Sequence, residues 1–181
     1  MKTDKLVKFF TLKTVLIFLA LWIIVNLWMW FGSSGSMTLR ELTGDSRIPD
    51  TMIWGYSAQS LGELLSIYGV KGRELYLSFQ YKDFIYPLIY STLLVGLLIR
   101  VRLPEKLNFV VLVPWIAAVF DYAENLMVRK MVSDFPNIKE GFAQASSMFT
   151  VLKWDLIFFS LAFIVVFGAW RIFAKRNPKK S

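Results

Sequence analysis

The apolar residues of this chain are gathered into four long blocks separated by polar stretches of unequal length. Residues 14–31, 84–99, 107–128 and 150–173 each come close to the roughly 20 apolar residues that a helix needs to cross a hydrocarbon core. Each block is predicted to be a membrane-spanning helix, and the four together an all-α, integral membrane four-helix bundle. No Pro/Gly/Ser-rich linker divides the chain, so residues 1–181 read as a single membrane domain. Two polar segments interrupt the bundle, at 32–82 and 129–149. In the first, Ser57 stands before a helical pattern in which Leu61, Leu64, Leu65 and Tyr68 recur at three- and four-residue spacing. Ser57 is the expected N-cap and Gly69 the expected stop. The apolar stripe suits a helix that lies on the membrane surface or caps the bundle, and a further helix is expected from about Gly72. The second segment, with Pro136 and Gly141, reads as a loop.

Composition sharpens this picture. Hydrophobic residues make up 56% of the chain and charged residues 19%, against about 25% charged in a soluble domain. A basic start followed by an apolar block also fits a secretion signal. That block is longer than a signal's apolar region, and no tidy small-x-small site follows it.

The net charge of +8 changes the picture through where it sits. Lys2, Lys5, Lys8 and Lys13 precede the first block, and Arg100, Arg102 and Lys106 follow the second. Arg171, Lys175, Arg176, Lys179 and Lys180 follow the fourth. Basic residues flanking apolar blocks orient membrane helices; nucleic-acid binding would need a basic face on a soluble surface, and none is expected. All three clusters fall on one side, so both termini are expected in the cytoplasm of a bacterium, with the protein in its inner membrane and the two longer segments outside. There is no Cys and no His. That removes thiol nucleophiles, imidazole triads and His-ligated metals from consideration, and no cofactor is implied.

Candidate chemistry lies in Phe120-Asp121-Tyr122-Ala123-Glu124-Asn125, near the end of the third block. On a helix, residues 121, 124 and 125 share about 100° of arc, which lines up two carboxylates and an amide where lipid tolerates none of them. Ionisable groups at membrane depth usually face a bundle interior. Asp121 falls roughly 21 Å past Leu107 at a helical rise. Span four runs the other way, which sets Lys153-Trp154-Asp155 at a similar depth, while Asp83 opens span two and Asn26 sits in span one at that level. The outer halves of the spans thus hold the polar groups.

Gly72-Arg73-x-x-Tyr76, Asp83-x-x-Tyr86-Pro87, Asp121-x-x-Glu124-Asn125 and Thr150-x-x-Lys153-Trp154 together make the chain resemble a family of small bacterial four-span membrane proteins. The resemblance covers residues 72–154 and brings no activity with it. It implies that Thr150, Lys153 and Trp154 belong with the Asp-Glu-Asn face. The layout is also similar to that of lipoprotein signal peptidases, whose Asn- and Gly-rich signatures are missing around Asp121 and Asp155.

Two readings remain open. In one, Asp121, Glu124 and Lys153 carry acid/base chemistry, or binding, toward an amphipathic lipid-like ligand; Asn125, Trp154, Asp155, Arg73, Tyr86 and Asp83 complete the site. Membrane lipids are then the partners. In the other, the same groups form an ion network that orders the bundle of a structural subunit, and residues 32–82 meet a protein partner. A metal held by Asp121, Glu124 and Asp155 would be a hard cation, but Lys153 beside them disfavours one, and no metal site is assigned. An ion pathway lacks polar residues in the inner halves of the spans.

Overall fold

A computed structural model describes residues 4–45 and 47–176. Lys2, Lys179 and Lys180 of the basic clusters lie outside them. Among the described residues every regular element is helical: α1 Asp4–Phe9, α2 Leu12–Phe31, α3 Ser36–Thr43, α4 Ala58–Asp83, α5 Tyr86–Val101, α6 Val113–Ser133 and α7 Glu140–Arg176. Four helical stretches are long and apolar enough to cross a membrane.

Local chemistry explains the boundaries. The Thr11 hydroxyl accepts from the Thr14 amide and starts α2. Ser57 and Ser60 cap α4 reciprocally, each side chain accepting from the other's backbone amide. Gly69, at φ 61 and ψ −171, breaks α4 into two halves with a backbone conformation that only glycine adopts without strain. The expected stop and restart are therefore both present, abutted in one kinked rod. α5 and α6 each begin with a proline in the first turn, Pro87 and Pro114, where the missing N–H costs nothing.

Two boundaries depart from expectation. The third block does not start as an α-helix: residues 105–112 form a 3₁₀ stretch, and the α-helix opens only at Val113. The segment 129–149 is mostly helix, since α6 continues to Ser133 and α7 begins at Glu140. Only residues 134–139 connect them, because Met131 and Val132 continue the buried face of α6 while Ala143 and Ser146 extend that of α7. At 37 residues, α7 is about 55 Å long by its rise and reaches well beyond a hydrocarbon core of about 30 Å.

α5 and α6 form an antiparallel hairpin turned at Arg102, whose φ of 50 is left-handed. α7 packs along α6 and against α5, and α2 packs on α5 from the other side. Among the described residues α2 and α7 make at most a weak contact. Two apolar cores result. The amphipathic stripe Leu61, Leu64, Leu65 and Tyr68 caps the bundle by burying against Val128, Met131, Val132 and Ala143. At the other end Phe10, Val15, Leu98, Val110 and Val113 form the second core. The basic segments meet there, with Arg171 donating to the Arg100 carbonyl at 3.5 Å. Elsewhere α2 and α7 turn large apolar side chains outward: Ile24, Leu27 and Trp30 on one, Val165, Val166 and Phe173 on the other. Exposed apolar side chains in such number mark a surface suited to lipid or to another protein.

Close approach of α1 and α2 to α5 depends on Gly96. A Cβ there would lie 2.8 Å from Phe10 Cδ1 and 2.9 Å from Val15 Cγ2, and both neighbours are buried. Gly96→Ala should therefore cost about 1–3 kcal/mol through overpacking. Gly62→Ala, with its nearest atom at 3.6 Å, should be neutral or stabilising by up to about 1 kcal/mol from helix propensity. Thermal unfolding of the two variants in one detergent reads the difference; equal melting temperatures would contradict the packing described.

Candidate functional site

Between the two cores, where α5, α6 and α7 converge, polar side chains replace apolar ones. Val113 and Val128 of α6 belong to opposite cores, and Asp121, Glu124 and Asn125 lie between them, each at most 2% exposed. The shared helical face expected for these three is the buried face. Lys153 of α7 points into it, 1% exposed. Its Nζ lies 3.2 Å from Asp121 Oδ1 and 2.5 Å from Glu124 Oε2. The Asn125 amide donates to Asp121 Oδ1 at 3.3 Å, and Gln80, fully buried on α4, donates to the Asn125 carbonyl at 3.2 Å.

A third carboxylate completes the cluster. Asp50 pairs with Lys153 Nζ from the 3₁₀ turn Pro49–Thr51, within the segment joining α3 to α4. That segment is fastened to α7 at several points. Trp154 Nε1 donates to the Asp50 carbonyl at 2.9 Å. The Tyr56 amide donates to Ser147 Oγ at 2.7 Å, and the Tyr56 and Ser146 hydroxyls share a hydrogen bond at 2.7 Å. Nothing in the polar stretch around Asp50 distinguishes it from a solvated turn residue, so sequence reasoning passes it over. The buried Ile48 and Pro49 beside it are the one hint that the turn folds inward.

The other candidates divide. Asp83 closes α4 and is 1% exposed rather than at a wet boundary. Neither of its oxygens meets a hydrogen-bond donor among the described residues. Tyr86 accepts from Trp22 Nε1 at 3.1 Å and packs on Tyr90 with ring centroids 5.4 Å apart. Thr150 is buried one turn from Lys153, its hydroxyl donating to the Ser146 carbonyl. Arg73 and Asp155 do not join the site. Arg73 lies over the Phe135 ring at 4.3 Å and donates to the Leu65 carbonyl. Asp155 is exposed on the outer side of α7, since two residues of helix turn it about 200° from Lys153.

Charge is the governing quantity here. Asp50, Asp121 and Glu124 present oxygens within 4.8 Å of one another, a hard-oxygen set of the kind that divalent cations use. The Lys153 ammonium stands among them and supplies one positive charge against three carboxylates, with Asp83 behind them.

Beside the cluster lies a cleft of about 290 Å³. Asp50, Asp121, Lys153, Tyr86, Tyr90 and Trp154 form its polar end, and Leu93, Leu94, Leu97, Ile157 and Leu161 continue it as an apolar wall. Leu19 and Trp22 of α2 close the third side, where α2 and α7 stand apart. Glu124 does not line it. A second cavity of about 180 Å³ shares Asp50, Tyr86 and Trp154 and extends past Asn26 and Ser36 toward the end of α2.

These features define a multi-pass helical protein with four potential membrane spans and a buried carboxylate–lysine centre open to an apolar cleft. No family model, curated protein or solved structure matches the chain.

Loss of Lys153 and loss of a carboxylate should differ in consequence. Lys153→Met strands several acids in a dry interior and should cost about 3–5 kcal/mol. Glu124→Gln leaves Lys153 two partners and should cost much less, and added to Lys153→Met it should restore part of the loss. Chemical unfolding of the two single variants and the double variant in detergent measures this; strictly additive losses would show that the pair does not interact.

Proposed function

We propose that the chain binds, or acts by acid/base chemistry on, an amphipathic lipid-like ligand held in the cleft between α2, α5 and α7. The observation carrying this reading is the cleft's composition: an apolar wall ending on Asp121, Lys153 and Asp50. Ligand pockets typically pair an apolar lining with a few convergent polar groups. The gap between α2 and α7 offers a lateral way in for a hydrocarbon tail. With no His or Cys, proton transfer falls to carboxylates and an amine. Asp121 and Lys153 line the cleft and would meet the ligand; Glu124, buried behind them, would be a positioning residue that holds Lys153.

The setting we propose is a bacterial inner membrane with both termini cytoplasmic. It is supported by the convergence of the basic segments at one end of the bundle and of the carboxylates toward the other. The ligand would then enter from the outer leaflet. Reporter fusions after Ala174 and between α3 and α4 should report opposite compartments, the first cytoplasmic; the reverse assignment would move the cleft to the inner leaflet.

The alternative, a structural subunit ordered by its ion network, keeps support from the fastening of the Asp50 turn to α7. A protein partner for residues 32–82 would then meet Trp54, which is 92% exposed. Asp121→Asn separates the two readings, because it keeps shape and most hydrogen bonding while removing a charge from an over-acidic cluster. A ligand site should lose the phenotype or lipid profile that a deletion strain defines, with melting changed by no more than a few degrees. A folded variant that restores that phenotype in full would remove Asp121 from the proposed chemistry.

A further inference from the structure

We infer that the head group taken by the cleft is cationic, a primary ammonium carried on a single hydrocarbon tail. The inference rests on the reading of the cleft as an amphiphile site and adds the chemistry of the ligand to it.

Three observations lead there. The first is the charge balance around the cleft's polar end. Asp50, Asp121 and Glu124 surround one ammonium, which leaves two formal negative charges in excess at full ionisation, before Asp83 is counted. Buried carboxylates beyond the one that the ammonium balances either take up a proton or meet a cation, and a ligand head at this end would be that cation. An anionic head, phosphate or sulfate, would have to displace a carboxylate from Lys153 while facing those that remained.

The second observation is the set of hydroxyls and rings beside the acids. Tyr90 is 5% exposed and lines the cleft; its hydroxyl faces the Asp121 carboxylate without a hydrogen bond of normal geometry to any described residue. Its oxygen keeps lone pairs that can accept an N–H placed in the cleft. Tyr86 offers a second hydroxyl, with Trp22 already donating to it. The Trp154 and Trp22 rings beside them suit a cation, because aromatic faces attract positive charge.

The third observation is size. A cleft of about 290 Å³ sits at the lower limit of small-molecule pockets, about 300–1,000 Å³. Its apolar wall from Lys153 to Leu161 rises about 12 Å along α7. One alkyl chain of intermediate length fits this space, whereas a two-chain phospholipid does not.

Full-length protein in one nonionic detergent would be titrated with decylammonium, decanol and decyl sulfate, and melting temperature followed against concentration. A Leu94→Trp variant, which fills the cleft wall, serves as the comparison. Decylammonium should raise the melting temperature saturably and bind about tenfold tighter than decanol, the change that about 1.4 kcal/mol makes. Decyl sulfate should give no saturable rise, although the chain's charge of +8 favours that anion in nonspecific binding. Leu94→Trp should abolish the decylammonium effect. Equal binding of all three, lost in Leu94→Trp, would overturn the cationic head and leave the amphiphile cleft standing. Binding of none would overturn both, and decylammonium binding that survives Leu94→Trp would place the cation outside the cleft.

Discussion

One ammonium shared by three carboxylates is the constraint on which the rest of this structure depends. Lys153 reaches Asp121 and Glu124 on α6 and Asp50 in the turn before α4, so a single side chain ties two long helices and the capping segment together. A buried ion pair is weak support for stability by itself, because desolvation offsets much of the attraction. Its consequence is specificity. α7 can slide or rotate along α6 only by stranding charges, and the capping turn can lift away only by taking a carboxylate from its lysine. The two apolar cores supply the non-directional burial, and the cluster between them sets the register.

The same cluster is poorly balanced for a strut. A structural network would be most stable with its charges matched, yet here acids outnumber the base, and a fully buried Asp83 has no donor among the described residues. Such departures from local consistency concentrate where a protein keeps a site. The arrangement of helices fits this. α2 packs on α5 and α7 on α6, and the cleft that α2, α5 and α7 line ends on the acids.

Much of this was legible in the chain. Apolar blocks predicted the four long helices, and a three-to-four-residue stripe predicted the helix that caps the bundle. The spacing of Asp121, Glu124 and Asn125 predicted a shared face, and opposite chain directions brought Lys153 to their level. What was not legible depended on tertiary contacts. Asp50 sits in a polar turn whose inward fold is set by Ser146, Ser147 and Trp154, about a hundred residues away. Arg73 and Asp155 bear the right chemistry in the right segments, but the Phe135 ring and the Leu65 carbonyl hold the first and helical phase turns the second outward. The segment 129–149 looked like a loop because its polar residues hide a continuing buried face. Asp83 looked like a boundary residue because the kinked α4, which carries it inward, cannot be foreseen from hydropathy.

The claim that Lys153 holds the capping turn onto the bundle is tested most directly by hydrogen exchange. Amides of residues 48–57 would be followed in the wild-type chain and in Lys153→Met, with those of α5 and α6 as the internal reference. Loss of protection in the turn while α5 and α6 stay protected is the expected result. Unchanged protection at residues 48–57 in a folded Lys153→Met protein would contradict it, leaving the turn held by Tyr56, Trp154 and apolar packing alone.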